Sequence, residues 1–176
     1  MDYLDRRESP VGPLALASDG EALIGLWLDG QKYFQATLGE VEERPDLPIF
    51  KEANAWLDRY FEGRDPGALP PVAPRGTAFR QRVWQLLAEI PYGQLTTYGE
   101  LANRIAAETG VRASARAVGG AVGHNPISII LPCHRVVGSG GSLTGYAGGL
   151  QKKIALLKLE GVDVASLKIP TKGTAL

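Results

Sequence analysis

"TYGELANRIAAETGVRASARAVGGAVGHN", residues 97–125, decides how the second half of this 176-residue chain folds. Thr97 and Glu100 stand three apart ahead of an apolar stripe, the spacing of a capping box in which each side chain meets the other residue's backbone N–H. Leu101 and Ile105 then share one face, and Gly110 supplies the left-handed residue that ends a helix. A few residues on, Ser114 is placed to cap a second helix over ARAVGGAVGHN. Helix, short turn and small-residue helix predict a helix-turn-helix. The second helix is unusual, because Gly119 and Gly120 each weaken a helix by about 1 kcal/mol relative to alanine. Two reasons for accepting that cost stand side by side: tight packing against another helix, or close approach of a foreign backbone, protein or nucleic acid. Arg116 adds a charge beside the same smooth surface.

Upstream, "TAFRQRVWQLLAEIPYG", residues 77–93, sets Phe79, Val83, Leu86, Leu87 and Ile90 on one face, and Pro91 and Gly93 stop the helix. Before it comes "DPGALPPVAP", residues 65–74, whose four prolines predict an extended connector. The charge balance changes sign there. Residues 1–74 carry 7 Lys/Arg against 14 Asp/Glu, whereas residues 75–160 carry 10 against 4. Opposite halves predict two units, the basic one facing a polyanion. In the first unit, "PLALASDGEALIGLWL", residues 13–28, reads as two strands around Asp19-Gly20, a dipeptide suited to a tight hairpin turn. "FKEANAWLDRYFEG", residues 50–63, places Phe50, Ala53, Trp56 or Leu57, and Tyr60 at helical spacing, with Gly63 to end the helix.

Downstream lies the only cysteine, in "IILPCHRVVG", residues 129–138. A lone thiol after an apolar run is either a small core side chain or a nucleophile with His134 as its neighbour. The "GSGGS" element, residues 138–142, lacks the GK[ST] ending of a phosphate loop and reads as a hairpin turn. The last helix buries Leu150, Ile154, Leu157 and Leu156 and stops at Gly161. Glu160 sits in its final turn, where the helix dipole disfavours a negative charge, so a cationic or hydrogen-bonding partner is expected there.

Composition narrows the classes further. With 44% hydrophobic and 22% charged residues the chain is ordinary for a globular protein. One cysteine excludes an internal disulfide, and with only His124 and His134 beside it a structural zinc site is not expected. The charged start, MDYLDRRESP, is unlike a secretory signal, no apolar run approaches the length of a membrane span, and a reducing cytoplasmic location is expected.

Residues 116–150, "RAVGGAVGHNPISIILPCHRVVGSGGSLTGYAGGL", closely resemble the active-site region of the O6-alkylguanine–DNA alkyltransferases, also called methylated-DNA–protein-cysteine methyltransferases. The Pro-Cys-His-Arg core, with Asn125-Pro126 ahead of it, carries the resemblance, which runs from about Phe79 to Gly161. It implies an α/β N-terminal domain with a small antiparallel sheet, residues 1–74, and a mainly α C-terminal domain with a helix-turn-helix, residues 75–176. By the same resemblance Cys133 accepts the alkyl group, His134 acts through a water as its base, Glu160 orients the imidazole, and Asn125 holds the cysteine loop in shape. Tyr98 reaches the flipped guanine, and Tyr146 with the backbone of Val136 and Ala147 lines the base pocket. Arg116 enters the duplex in place of the extruded nucleotide, Ala117, Gly119 and Gly120 form the smooth face on the minor groove, and Ser139 touches the DNA backbone. The implied reaction is direct reversal of O6-alkylguanine in double-stranded DNA, with O4-alkylthymine as an alternative donor. It runs once per molecule, with no cofactor, no metal, no membrane partner and a monomer in solution.

The chemistry suits these side chains. Attack at a saturated carbon needs an activated thiolate and hydrogen bonds to the leaving base. The lesion is out of reach inside a duplex, so the base is flipped at a cost of a few kcal/mol. Three rival readings fare worse. Alkyltransferase-like lesion sensors lack the cysteine, a sequence-reading helix-turn-helix wants more base-edge donors than Arg116, and a cysteine hydrolase gives no account of the paired glycines.

Overall fold

The computed structural model describes residues 1–170. Its first part is a four-stranded sheet in the order β3-β2-β1-β4, built from β1 (Asp2–Arg7), β2 (Leu14–Ser18), β3 (Leu23–Leu28) and β4 (Val41–Glu43). β1, β2 and β3 pair antiparallel as expected, while the short β4 joins β1 in parallel and makes the sheet mixed. Strands β2 and β3 are buried along their whole length because the sheet is covered on both faces. Leu14, Leu16, Leu26 and Leu28 face the main core with Phe50, Ala53 and Leu57 of α1 (Pro48–Phe61); Ala15, Ala17, Ile24 and Trp27 pack on the other side with Leu4. The Trp27 ring lies across Gly25, where a Cβ would come within 1.9 Å of it. Only glycine fits there.

The β2–β3 hairpin forms, but with a wider turn than Asp19-Gly20 predicts. Residues 19–22 are outside the strands, and the Asp19 carboxylate accepts from the N–H groups of Glu21 and Ala22, both at 2.9 Å. An Asx turn therefore closes it, with Gly20 alone at positive φ.

The outer edge of β3 carries the functional consequence of this sheet. The proline-rich connector runs along it, with Leu23 N–H donating to the Pro71 carbonyl at 2.9 Å and Ala73 N–H to Leu23 at 2.7 Å. Further along, Leu26 N–H donates to Pro126 at 2.8 Å, and Ser128 N–H to Leu26 at 2.9 Å. The loop that leads to Cys133 is thus held as a partial fifth strand, which also covers an exposed edge.

Helix α2 (Ala78–Ala88) is capped by Thr77, whose hydroxyl accepts from Arg80 N–H at 3.2 Å. Phe79 does not join the core as its spacing suggests; it is 36% exposed, and the inward position belongs to Trp84. The indole N–H of Trp84 donates to the Ala121 carbonyl at 2.8 Å and ties α2 to the second helix of the helix-turn-helix. That unit consists of α3 (Tyr98–Thr109) and α4 (Ala115–Gly123). The Thr97–Glu100 capping box, the left-handed Gly110 at φ 71° and the Ser114 cap all form as expected. Two short strands, β5 (Thr96–Thr97) and β6 (Val136–Val137), pair in parallel and fasten the start of α3 beside the cysteine turn. The last helix, α5 (Leu150–Leu159), buries Leu156 and Leu157 as predicted, while Leu150 and Ile154 are only partly covered. One hydrophobic cluster runs from β2 and β3 through α1 and α2 to α3, α4 and Leu156. The end of the 75–176 range, residues 171–176, lies outside the described residues.

Asp2 joins the two halves. Its carboxylate accepts from both terminal nitrogens of Arg75 at 2.8 Å and from Gly39 N–H at 3.0 Å. The Arg75 guanidinium pulls the Asp2 carboxyl down to about 2, against the burial that would raise it. A carboxyl depressed in the folded state stabilises fully above its unfolded value and loses that contribution as pH falls through the folded one. Asp2→Asn is expected to cost about 1 kcal/mol at pH 7, since Arg75 is half exposed. Urea midpoints for the two proteins should converge as pH drops below about 4.

Candidate active site

The turn that carries Cys133 is built from unusual backbone. Ile129, a β-branched residue fully buried, has φ 71°, and Ile130 N–H closes a γ-turn around it onto the Ser128 carbonyl at 2.8 Å. Such a residue costs on the order of 1–3 kcal/mol and persists only where its surroundings impose it. Pro132 follows at φ −81° and ψ 65°, with Cys133 N–H donating to Leu131 at 2.8 Å, so a second tight turn presents the cysteine. Asn125 gathers the loop: its amide donates to the carbonyls of Leu131 at 2.8 Å and Ile127 at 3.3 Å, and its oxygen accepts from Ile127 N–H at 3.1 Å. One side chain thus meets three backbone groups of the loop and shares the Leu131 carbonyl with the Cys133 N–H that closes the second turn.

Cys133 opens a single 3-10 turn, Cys133–Arg135, which points His134 inward. The His134 Nε2 is hydrogen-bonded to Glu160 Oε2, and neither side chain is exposed. Glu160 is a point of convergence. Its Oε2 also accepts from the Tyr60 hydroxyl at 2.7 Å, and its Oε1 accepts from Arg135 Nε at 2.7 Å and Gly93 N–H at 2.9 Å. Burial alone would raise this carboxyl; the hydrogen bonds and charges of His134 and Arg135 bring it down to about 2. The partner expected from the adverse helix dipole is therefore present several times over. Burial lowers the His134 pKa, and Glu160 opposes that. Since an ionised carboxylate only accepts, the imidazole proton lies on Nε2, and Nδ1 keeps its lone pair. That Nδ1 is buried without a hydrogen-bond partner among the described protein atoms, on the residue next to the thiol. Burial pushes the Cys133 thiol up, while the Asn125 amide and the charge of Lys153 pull the other way.

Tyr98 and Tyr146 flank the cysteine. Burial pushes the Tyr98 phenol up to about 12, with the nearby Cys133 adding to the rise, and its hydroxyl donates to the Thr144 carbonyl at 2.9 Å. Gly145 is required beside it, since φ is 76° and a Cβ would sit 2.7 Å from the Tyr98 oxygen. Tyr146 meets His134 edge to face at 6.4 Å, and burial raises its phenol well above the usual value. Val136 is fully buried, and Ala147 accepts Lys32 N–H at its carbonyl at 3.1 Å. A cavity of about 160 Å3 opens between Gly119, Gly120, Gly123 and His124 on one side and Gly145, Tyr146 and Ala147 on the other. Three larger grooves lie elsewhere: about 380 Å3 against β1–β2, about 410 Å3 between α2 and Leu131, and about 350 Å3 behind the cysteine turn at Ile130, Pro132 and Arg135; none of them borders the glycine helix. Chemistry rather than size identifies the site.

The two readings of the paired glycines can now be separated. A Cβ on Gly120 or Gly123 would meet nothing within 4 Å, and one on Gly119 would only graze Tyr98 at 3.8 Å. Packing against another helix is not what keeps them small. Arg116 and Ala117 are exposed on the same helix, and Ser139 is exposed in the Gly138–Ser142 turn.

Several residues of this network escape a reading of the sequence. Lys153 is fully buried, and its Nζ donates to the carbonyls of Val136 at 2.6 Å and Thr144 at 2.8 Å. Burial lowers its pKa to about 8, with Cys133 opposing. Its position between Leu150 and Leu157 on the apolar stripe of α5 is the signal: a lysine at a core position needs a polar partner. Tyr60 reads as core from its spacing, and its hydroxyl is the part that spacing misses. Arg135, which also donates to the Ile90 carbonyl at 2.7 Å, follows His134 directly.

Comparison with known proteins bears on both halves. Residues 78–162 match the family described as 6-O-methylguanine DNA methyltransferase, DNA binding domain, and residues 3–67 match the ribonuclease-like domain of the same enzymes. The relationship thus covers the N-terminal half too, beyond the stretch where the motifs are legible. The methylated-DNA–protein-cysteine methyltransferase of Haemophilus influenzae is 46% identical over 161 residues, 91% of this chain and 87% of the relative. The enzyme of the same name from Methanosarcina acetivorans is 46% identical over 88% of this chain and 95% of its own. Among solved structures, OGT of Mycobacterium tuberculosis in complex with DNA superimposes with a TM-score of 0.80 at 42% identity, covering 94% of each chain.

Proposed function

Because the chain belongs to the methylated-DNA–protein-cysteine methyltransferases, it repairs DNA by direct reversal through alkyl transfer to its own cysteine, and we propose that Cys133 is driven by the buried His134–Glu160 pair. The observation that carries this reading is the buried Nδ1 of His134, without a hydrogen-bond partner among the described protein atoms, on the residue that follows the only cysteine, with Nε2 committed to Glu160. A water between Sγ and Nδ1 relays the thiol proton to the imidazole, and Glu160 stabilises the imidazolium as it forms. The thiolate sulfur then attacks the O6-alkyl carbon; the S–C bond forms as the C–O6 bond breaks, and guanine leaves. Tyr98, whose phenol stays protonated at neutral pH, supplies a proton or hydrogen bond to the leaving base by turning its hydroxyl from the Thr144 carbonyl, which Lys153 continues to bond. Lys153, still mostly protonated at neutral pH, contributes a positive charge that favours the thiolate.

The base enters the cavity between α4 and the Gly145–Ala147 loop, lined by Tyr146 and Ala147, and the backbone of the buried Val136 meets it from beyond that lining. Arg116 fills the gap it leaves, the open face of Ala117, Gly119 and Gly120 lies on the minor groove, and Ser139 meets a phosphate. O6-alkylguanine is the donor, with O4-alkylthymine the alternative. We divide the chain at the connector, residues 65–74, with 1–74 supporting and 75–176 reacting, which matches the change in charge balance. Among the described residues no helix is long and apolar enough to cross a membrane. A cytoplasmic monomer fits a lone reactive thiol, which a reducing compartment keeps free.

The product thioether has no residue to cleave it, so transfer from excess lesion-bearing duplex should stop at one alkyl group per chain; continued turnover would contradict the reading. Arg116→Ala should slow transfer from duplex DNA by about tenfold or more, the cost of an unsupported flipped base, while leaving transfer from free O6-alkylguanine unchanged. Equal losses on both substrates would remove Arg116 from this role.

A further inference from the structure

The cavity has a third wall, and it comes from the other half of the chain. Lys32 and Tyr33, in the segment between β3 and β4, close the side left open by α4 and the Gly145–Ala147 loop. The segment is fastened at both ends. At its start the buried Gln31 accepts from Leu28 N–H and from the Ser128 hydroxyl, both at 3.0 Å, and Lys32 N–H donates to Ala147. At its end Gly39 N–H reaches Asp2 at 3.0 Å, and Arg75 reaches the Thr37 carbonyl at 3.4 Å. Between these anchors Tyr33 and Gln35 take left-handed backbone, φ 59° and 56°, a conformation that side-chain-bearing residues rarely adopt.

The strain is not repaid by burial, because Tyr33 is 51% exposed. Its ring instead stacks on His124 at a centroid distance of 4.0 Å and an interplanar angle of 21°. His124 in turn is fixed at the end of α4, its Nδ1 bonded to the Gly120 carbonyl at 2.7 Å. A strained, exposed aromatic pinned against the mouth of a substrate cavity points to a role in what the cavity admits.

We propose that Tyr33 is a specificity-determining residue, setting the size of the alkyl group that the site accepts. This rests on the assignment of the cavity as the base pocket. With guanine between α4 and Tyr146, a methyl group needs no space beyond the cysteine, whereas a larger substituent must spread past Ala147 toward Lys32 and Tyr33. Those residues cannot withdraw freely, since both ends of their segment are bonded to the body of the protein. Tyr33 acts by occupying volume, so its ring matters and its hydroxyl does not.

The test compares single-turnover rates on duplexes carrying O6-methylguanine or O6-benzylguanine for the wild-type chain, Tyr33→Ala and Tyr33→Phe. Tyr33→Ala should raise the benzyl-to-methyl rate ratio about tenfold, the order expected when one hydrophobic contact in a pocket decides between substrates. Tyr33→Phe should keep the wild-type ratio. Wild-type transfer with an unmoved ratio in Tyr33→Ala overturns this proposal alone, as does a Tyr33→Phe variant that behaves like the alanine. Absence of transfer by the wild-type chain overturns the base-pocket reading and this proposal with it.

Discussion

Cys133→Ala is expected to abolish alkyl transfer completely while leaving binding to a lesion-bearing duplex within a factor of about two, because nothing on the DNA-facing surface changes. No other thiol exists to take over. The side chain is 5% exposed, so losing one sulfur atom from a buried position costs about 1 kcal/mol of stability, too little to unfold the chain. Intact mass after incubation and fluorescence anisotropy of the labelled duplex read the two effects separately. Loss of binding along with transfer would mean that the cysteine supports the DNA surface rather than reacts.

Glu160→Gln should show the second-largest effect, and it acts on stability and rate together. The carboxylate receives four donors, from Tyr60, His134, Arg135 and Gly93, and an amide of the same shape offers one oxygen for them and turns its own N–H groups on the rest. Leaving the buried Arg135 unpaired costs about 3–5 kcal/mol. Without the carboxylate the imidazole loses both its tautomer and its stabilised cation, so transfer should slow by about 10²–10⁴. The pH dependence supplies a sign. Glu160 is held at about 2 in the folded chain, below its unfolded value. Its stabilisation is complete above about pH 4.3 and is lost as pH falls toward 2, so wild-type urea midpoints should drop in that window while those of Glu160→Gln change less. A Glu160→Gln protein as stable and as fast as wild type would refute the network. Tyr60→Phe is a graded control, removing one donor of the four at about 1 kcal/mol.

What the sequence makes legible here is local. Thr97, Glu100, Gly110 and Ser114 delimit their helices because caps and left-handed residues act within a turn or so of themselves, and each forms as its spacing predicts. Phe79 misleads because periodicity marks a face without saying how far along the helix the core extends; the first turn of α2 overruns it, and Trp84 is buried instead. The site divides in the same way. Cys133, His134 and Asn125 announce themselves as neighbours in one motif, and Glu160 by its conflict with the helix dipole. Tyr60, Lys153 and the Tyr33 segment reach the same place from 74 residues before His134, from α5 and from the first half of the chain, through contacts that no local pattern encodes. Two features needed the structure outright: the left-handed Ile129 ahead of the cysteine, and the pairing of β3 with the loop that carries it.

The most direct test of the account is to incubate the wild-type chain with a short duplex bearing one O6-methylguanine, take an intact mass, and map the modified peptide. A gain of one methylene per chain, located on Cys133, is the predicted result. An unchanged mass despite tight binding to the lesion, or a methyl group on any other residue, would contradict it.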